Sequence, residues 1–270
     1  MSSSGSALSR RLDGVRILVT RRPEQADELM RRLASLGASV TEVAAVAVAP
    51  PADPRPLMAA LERIEGYDWL VLTSANAVTA VGSALGSLRR GLPEKVRVAS
   101  VGPATAAAVR EAFSREPDLV PGSDFRGEGL AAAFARTPVA GRRVVLPTSD
   151  RAGGVVAAAL RDRGATVDVV VAYRTVAPAD LAERLAAALD AGIDVVTFAS
   201  PSAVESVVAA AGGRAAGLAA AVIGPVTERA ARAAGLRVVA VASPSTVEGL
   251  VRALGDRLGR VPTEPSGHAP

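Results

Sequence analysis

Short apolar runs recur along this chain, separated by stretches of 10–15 residues with helical patterning. The runs are ILV (Ile17–Val19), WLVL (Trp69–Leu72), VRVASV (Val96–Val101), VVL (Val144–Leu146), DVVTF (Asp194–Phe198), AAVI (Ala220–Ile223) and VVAV (Val238–Val241). None shows the in–out alternation of a strand with one wet face, so each reads as a strand buried on both sides. Strands of this kind alternating with helices give βαβ units, a parallel sheet and helices on both of its faces.

The pattern also repeats. RILVTR (Arg16–Arg21) is echoed by RVVLPT (Arg143–Thr148), and LGASVTEV (Leu36–Val43) by RGATVDVV (Arg163–Val170). DWLVLTSANAV (Asp68–Val78) is echoed by DVVTFASPSAV (Asp194–Val204), VGPAT (Val101–Thr105) by IGPVT (Ile223–Thr227), and GEGL (Gly127–Leu130) by VEGL (Val247–Leu250). The offsets fall from 127 through 126 and 122 to 120, as small loop deletions produce. Matched blocks in one order predict an internal duplication and two α/β lobes. In each GPxT turn the Gly is expected to make a tight turn, the Pro to preset the first helical φ and the Thr to cap a free N–H.

Composition then narrows the chemistry. The 270 residues include no Cys, one His (His268) and one Lys (Lys95) against thirty Arg. His268 lies in the polar, Pro/Gly-rich tail PTEPSGHAP, so thiol chemistry, clustered-His metal sites and Ser-His-Asp hydrolysis have no plausible residues. Lys95 lies in LPEKVR, before a strand, a poor place for a Schiff base or phosphate lysine. Seven aromatics are too few for stacking on bases, and the arginines are scattered, so no nucleic-acid partner is expected. No apolar run reaches the ~18 residues of a membrane span, and MSSSGSALSRR has no signal-like core, so the expectation is a soluble, cytoplasmic protein. GxGxxG after a strand and GxxxxGK[ST] are both missing from the sequence.

What remains is the set of strand-to-helix junctions: TRRP (Thr20–Pro23), TSAN (Thr73–Asn76), GPAT, TSDR (Thr148–Arg151), SPSA (Ser200–Ala203), GPVT and SPST (Ser243–Thr246). They are small, hydroxyl-bearing and, Asp150 apart, free of acids. Free N–H groups and the helix dipole make each a weak anion site. A net charge of +4 suits a polyanionic small molecule.

The ordered set VTRRP, YDWLVLTSANAV, VGPATA, VVAYRT, FASPSAV, IGPVTERAARAAGL and SPSTVEGLV resembles the uroporphyrinogen-III synthase family over roughly Val15–Leu258. The resemblance implies two flavodoxin-like parallel-sheet lobes joined by a two-stranded β-ladder, with a cleft between them. It implies lobe one from residues 15–46 plus 175–261 and lobe two from 47–174, with disordered tails at 1–14 and 262–270. The crossings would be Val43–Pro54 and Val169–Asp180. The implied activity is cyclisation of hydroxymethylbilane, a linear tetrapyrrole octacarboxylate, with loss of water and inversion of the terminal ring through a spiro intermediate. It needs no cofactor and no metal. A transient contact with the upstream deaminase and a monomeric state complete the expectation.

Residue by residue, the resemblance makes Tyr173 of VVAYRT the candidate proton donor to the departing hydroxyl. It places Thr20, Arg21, Ser74, Ala75, Gly102, Thr105, Ser200, Ser202, Gly224 and Thr227 around the substrate, with Arg151 and Arg174 as weaker candidates. Pro147-Thr148 departs from Thr20-Arg21 in the other half by removing an N–H from that junction. Two alternatives share the duplication: a two-lobed binding protein without chemistry, and a tetrapyrrole-sensing regulatory protein.

Overall fold

The apolar runs become strands, and the segments between them helices, in a computed structural model that describes residues 12–259. In chain order the elements begin with β1 (Arg16–Val19), α1 (Pro23–Ser35), β2 (Ser39–Glu42), β3 (Ala47–Ala49), α2 (Arg55–Glu62), β4 (Trp69–Leu72) and α3 (Ala75–Ser87). There follow β5 (Arg97–Ser100), α4 (Pro103–Phe113), α5 (Gly127–Ala133), β6 (Arg143–Ser149), α6 (Val155–Asp162) and β7 (Thr166–Val176). The last are α7 (Leu181–Asp190), β8 (Val195–Phe198), α8 (Pro201–Ala211), β9 (Ala219–Val222), α9 (Pro225–Ala233), β10 (Arg237–Val241) and α10 (Val247–Leu258). Among the described residues no helix is long and apolar enough to cross a membrane.

The described parts of Met1–Ala47 and Val176–Pro270 pack as one unit, and Val48–Thr175 as another. The first holds a sheet in the order β10-β9-β8-β1-β2, every pair parallel. Taken in chain order this is 2-1-3-4-5, the flavodoxin-like arrangement. Pleating sends Ile17 and Val19 to the face covered by α1 and α10, and Leu18 to the face covered by α7, α8 and α9. The second sheet runs β3-β7-β6-β4-β5. Its β7-β6-β4-β5 part repeats the same order, with the fifth strand reduced to one bridge between Ala99 and Leu119. Here Leu70, Leu72 and Val98 face α2, α3 and α4, while Trp69, Val71 and Ala99 face α5 and α6.

Set against the sequence repeat, the topology shows an exchange. The β1-α1-β2 segment of the first repeat completes the sheet made by β8, β9 and β10 of the second. Segment β6-α6-β7 of the second repeat completes the sheet of β4 and β5. The expected ladder is the pairing of β3 with β7. β7 is one unbroken strand of eleven residues that starts inside the second sheet.

Both sheets are pinned at their N-terminal ends by one device. Asp68, just before β4, accepts hydrogen bonds from the backbone N–H of Arg143 at 2.8 Å and from the Arg142 guanidinium at 2.9 Å. Asp194, just before β8, accepts from the backbone N–H of Arg16 at 2.8 Å and from its guanidinium at 2.9 and 3.1 Å. These two acids precede their strands for a structural reason.

The expectation of a disordered tail through residue 14 is corrected at its inner end. Leu12 is fully buried in the core beneath α1 and α10, and its N–H donates to the carbonyl of Leu36. An apolar side chain at that position closes the turn into β1, which a polar tail has no means to do. Residues 1–11 and 260–270, with the rest of the expected tails and His268, lie outside the described residues.

Candidate functional site

The junction residues collect at the C-terminal ends of the strands, where helix N-termini also lie. In the second unit, Ser74 has extended backbone after β4 and caps α3, its Oγ accepting from the N–H of Ala77 at 3.1 Å. Ala75 opens that helix on the surface. Tyr173, on β7, rests its half-buried ring against the core under α3 and brings its hydroxyl to 3.0 Å from Ser74 Oγ. Ser74 Oγ already accepts one N–H, so the pair forms a short chain from helix terminus to serine to phenol. The carbonyl of Tyr173 accepts from the N–H of Asp150 at 3.2 Å, which ties the β6–α6 junction to the same strand.

The next junction is the GPAT turn. Gly102 caps α4 at φ 177° and ψ −178°, extended values that any residue adopts. Space, not torsion, demands the glycine: a Cβ there would stand 2.8 Å from the Cβ of Phe125. Pro103 takes the first helical position as expected, and the N–H groups of the first turn have no partner within the helix. Thr105 is a correction. It is buried, and no side chain caps α4. At the third helical position its side chain turns inward, so this junction offers backbone N–H groups and not a hydroxyl.

The first unit presents the counterpart edge. Ser200 caps α8, accepting from the N–H of Ala203 at 3.2 Å, with the Ser202 hydroxyl 3.0 Å from its Oγ. Gly224 caps α9 at φ 169°, and a Cβ there would run into the hydroxyl of Ser245. Thr227 is buried like Thr105, and no side chain caps α9. Thr20 is buried too, 1% exposed, and its hydroxyl donates to the carbonyl of Thr197 at 2.6 Å. That commits it inside the sheet and away from any ligand. Arg21 is half-buried and leans over α1, donating to the Gln25 carbonyl at 3.3 Å. Burial pushes its guanidinium below the usual arginine value, and Glu28 opposes the shift. It is a cation near a helix N-terminus.

The two weaker arginine candidates divide. Arg174 donates to the carbonyl of Pro50 at 3.0 Å, which ties the loop after β3 to β7. Arg151 lies exposed in the stretch 150–154 before α6. Pro147 sits inside β6, opposite Val170 of β7, so β6 is seven residues long where β1 has four. The expected asymmetry between these two junctions is therefore one of strand length as well as of a missing N–H.

A family model described as uroporphyrinogen-III synthase HemD matches residues 27–252. The uroporphyrinogen-III synthase of Synechococcus elongatus is 33% identical over 198 residues, which is 72% of this chain and 74% of that protein. This chain belongs to the uroporphyrinogen-III synthase family. The fold agrees. A mutant uroporphyrinogen III synthase from Thermus thermophilus superposes with a TM-score of 0.58 at 20% identity, covering 91% of this chain and 99% of that one. The uroporphyrinogen-III synthetase of Helicobacter pylori gives 0.55 at 13% identity, covering 88% and 97%.

For a member of this family, sequence reasoning missed Phe125, which stands on the GPAT turn, and Ser245, its counterpart on the GPVT turn. The signal was available in the blocks SDFRGEGL and SPSTVEGL, which align with Phe125 against Ser245. It missed as well why those blocks keep Gly129 and Gly249. A Cβ at either would run into a backbone carbonyl, of Asp124 in one unit and Pro244 in the other.

Proposed function

We propose that this chain catalyses the family's reaction: closure of hydroxymethylbilane to uroporphyrinogen III, with loss of water and inversion of the terminal pyrrole. The observation that carries the assignment of chemistry is the Tyr173 hydroxyl, 3.0 Å from the serine that caps α3. A phenol held there can protonate a departing hydroxyl, and the helix terminus helps to hold the phenolate left behind. Water leaves and an azafulvene cation remains. The substituted carbon of the terminal ring attacks it to give a spiro centre, which fragments and recloses through the free carbon. The proton released as the ring regains aromaticity returns to the phenolate.

Each unit carries its own groups for holding carboxylates: the first-turn N–H groups of α3 and α4 in the second unit, and in the first those of α8 and α9 with Ser202 and Arg21, the half-buried cation beside α1. A single exposed charge gains only ~0.3–1 kcal/mol at a helix terminus. Eight carboxylates spread over many termini convert that weak preference into selection for a polyanion. Much of the acceleration comes from folding a flexible chain so that its ends meet. On this reading the protein works as a monomer without cofactor or metal, and takes its labile substrate from the deaminase that makes it.

The test is to generate hydroxymethylbilane in situ with that deaminase, add this protein, oxidise, and separate the isomers. Type III porphyrin is the expected product. Type I alone, the product of spontaneous closure, from folded protein would overturn the proposal in favour of polycarboxylate binding without chemistry.

A further inference from the structure

The two GPxT turns are alike in backbone and unlike in what stands on them. Gly102 and Gly224 have nearly the same torsions and each precedes a proline at the first helical position. Over Gly224 sits the hydroxyl of Ser245; over Gly102 sit the Cβ and ring of Phe125. The Phe125 side chain lies over Gly102 along its Cβ, Cγ and Cδ1 edge. The residue is 48% exposed, and it is the one aromatic among the exposed large apolar residues of the described chain. An apolar platform therefore stands at the N-terminus of α4, on an edge otherwise made of hydroxyls and N–H groups.

A tetrapyrrole needs both kinds of surface. Its acidic arms call for N–H groups, while its pyrrole faces are planar, electron-rich and apolar. We infer that Phe125 is a substrate-binding residue that stacks on one pyrrole ring, so that the second unit's GPxT edge is built to meet a ring face, where the corresponding position of the first unit, Ser245, is polar. The ring is fixed where a stacking partner needs it. Gly102 gives the side chain a seat that any larger residue would fill, and about half of Phe125 stays exposed beside it. Its neighbours on α4 are the unpartnered N–H groups of the first turn, so an acidic arm of the stacked pyrrole meets them on the same edge.

This inference rests on the proposed synthase reading, and the experiment separates the two. The variants are Phe125→Ser, which copies the other unit, Phe125→Leu and Phe125→Trp. They are assayed for KM, kcat and isomer ratio with hydroxymethylbilane, and for binding of uroporphyrin III by its own fluorescence. Phe125→Ser is expected to raise KM and weaken uroporphyrin binding by roughly 3- to 10-fold, the range of a single aromatic contact. It should leave kcat, thermal unfolding and the type III fraction near those of the parent protein. Phe125→Leu should fall in between, and Phe125→Trp should restore binding. Unchanged KM and binding in Phe125→Ser, or a loss confined to kcat, would remove the inference while leaving the synthase reading intact. Type I product alone from the unsubstituted protein would remove both.

Discussion

The hydroxyl of Tyr173 lies 3.0 Å from Oγ of Ser74, and that same oxygen accepts the N–H of Ala77 at the start of α3. One serine thus serves a helix terminus and the candidate proton donor together. Tyr173→Phe is expected to lower kcat roughly 100-fold or more, the lower end of general-acid contributions. It should leave type III product detectable, because positioning of the bilane survives. Ser74→Ala removes the cap as well and should cost ~1 kcal/mol of stability besides its effect on rate. In a double-mutant cycle on kcat the two effects should be far from additive; additive losses would show that the two hydroxyls act independently.

Thr20→Val tests a position whose hydroxyl faces into the sheet. The buried donor to Thr197 is lost, and the Thr197 carbonyl is left without it. A stability loss of ~1–3 kcal/mol is expected by chemical denaturation, with KM for the bilane unchanged. A raised KM at unchanged stability would return Thr20 to the substrate.

Gly129 and Gly249 are neither at the candidate site nor in left-handed backbone, yet each should resist substitution by alanine. The added methyl would run into the carbonyl of Asp124 or of Pro244. Overpacking of this kind costs about 1–3 kcal/mol, and here the obstacle is backbone with little freedom to move. Thermal melts of Gly129→Ala and Gly249→Ala should both fall, while Gly86→Ala, in open space within α3, should hold or rise.

Acid should undo the pin at Asp68. The backbone N–H of Arg143, and after it the Arg142 guanidinium, hold this carboxyl below its ordinary value of 3.8. A depressed folded-state value means that the stabilisation is complete above about pH 4 and fades as the pH falls through the folded value. The melting temperature of Asp68→Ala should therefore lie below that of the parent protein at neutral pH. The gap should narrow as the pH falls below 4; a gap constant with pH would point to packing instead of charge.

The elements were legible because buried parallel strands leave a simple mark. The runs from Ile17, Trp69, Val144, Val195 and Val238 all fall on strands, and the paired GPxT turns mark two matching helix starts. The direction of the hydroxyls at those turns was not legible. Thr20, Thr105 and Thr227 occupy the expected junctions, but pleat and helix phase turn all three inward. Ser74 and Ser200, as caps with extended backbone, hold their hydroxyls at the helix start. Phe125 was visible only as the mismatch with Ser245 in two aligned blocks; its seat on Gly102, 23 residues earlier in the chain, leaves no periodic mark.

The insertion of Val48–Thr175 into the other unit also has a consequence during synthesis. β1 leaves the ribosome long before β8, its neighbour in the sheet; the Arg16–Asp194 pin spans 178 residues. Closing so long a coil is entropically costly, and the cost grows with its length. The inserted segment is continuous in sequence, and it enters the fold by β3 and leaves by β7, two adjacent strands. Once it folds, the chain on either side is held at neighbouring points. The long closure becomes a short one, and the late segment from α7 onward emerges tethered close to the waiting β1 and β2.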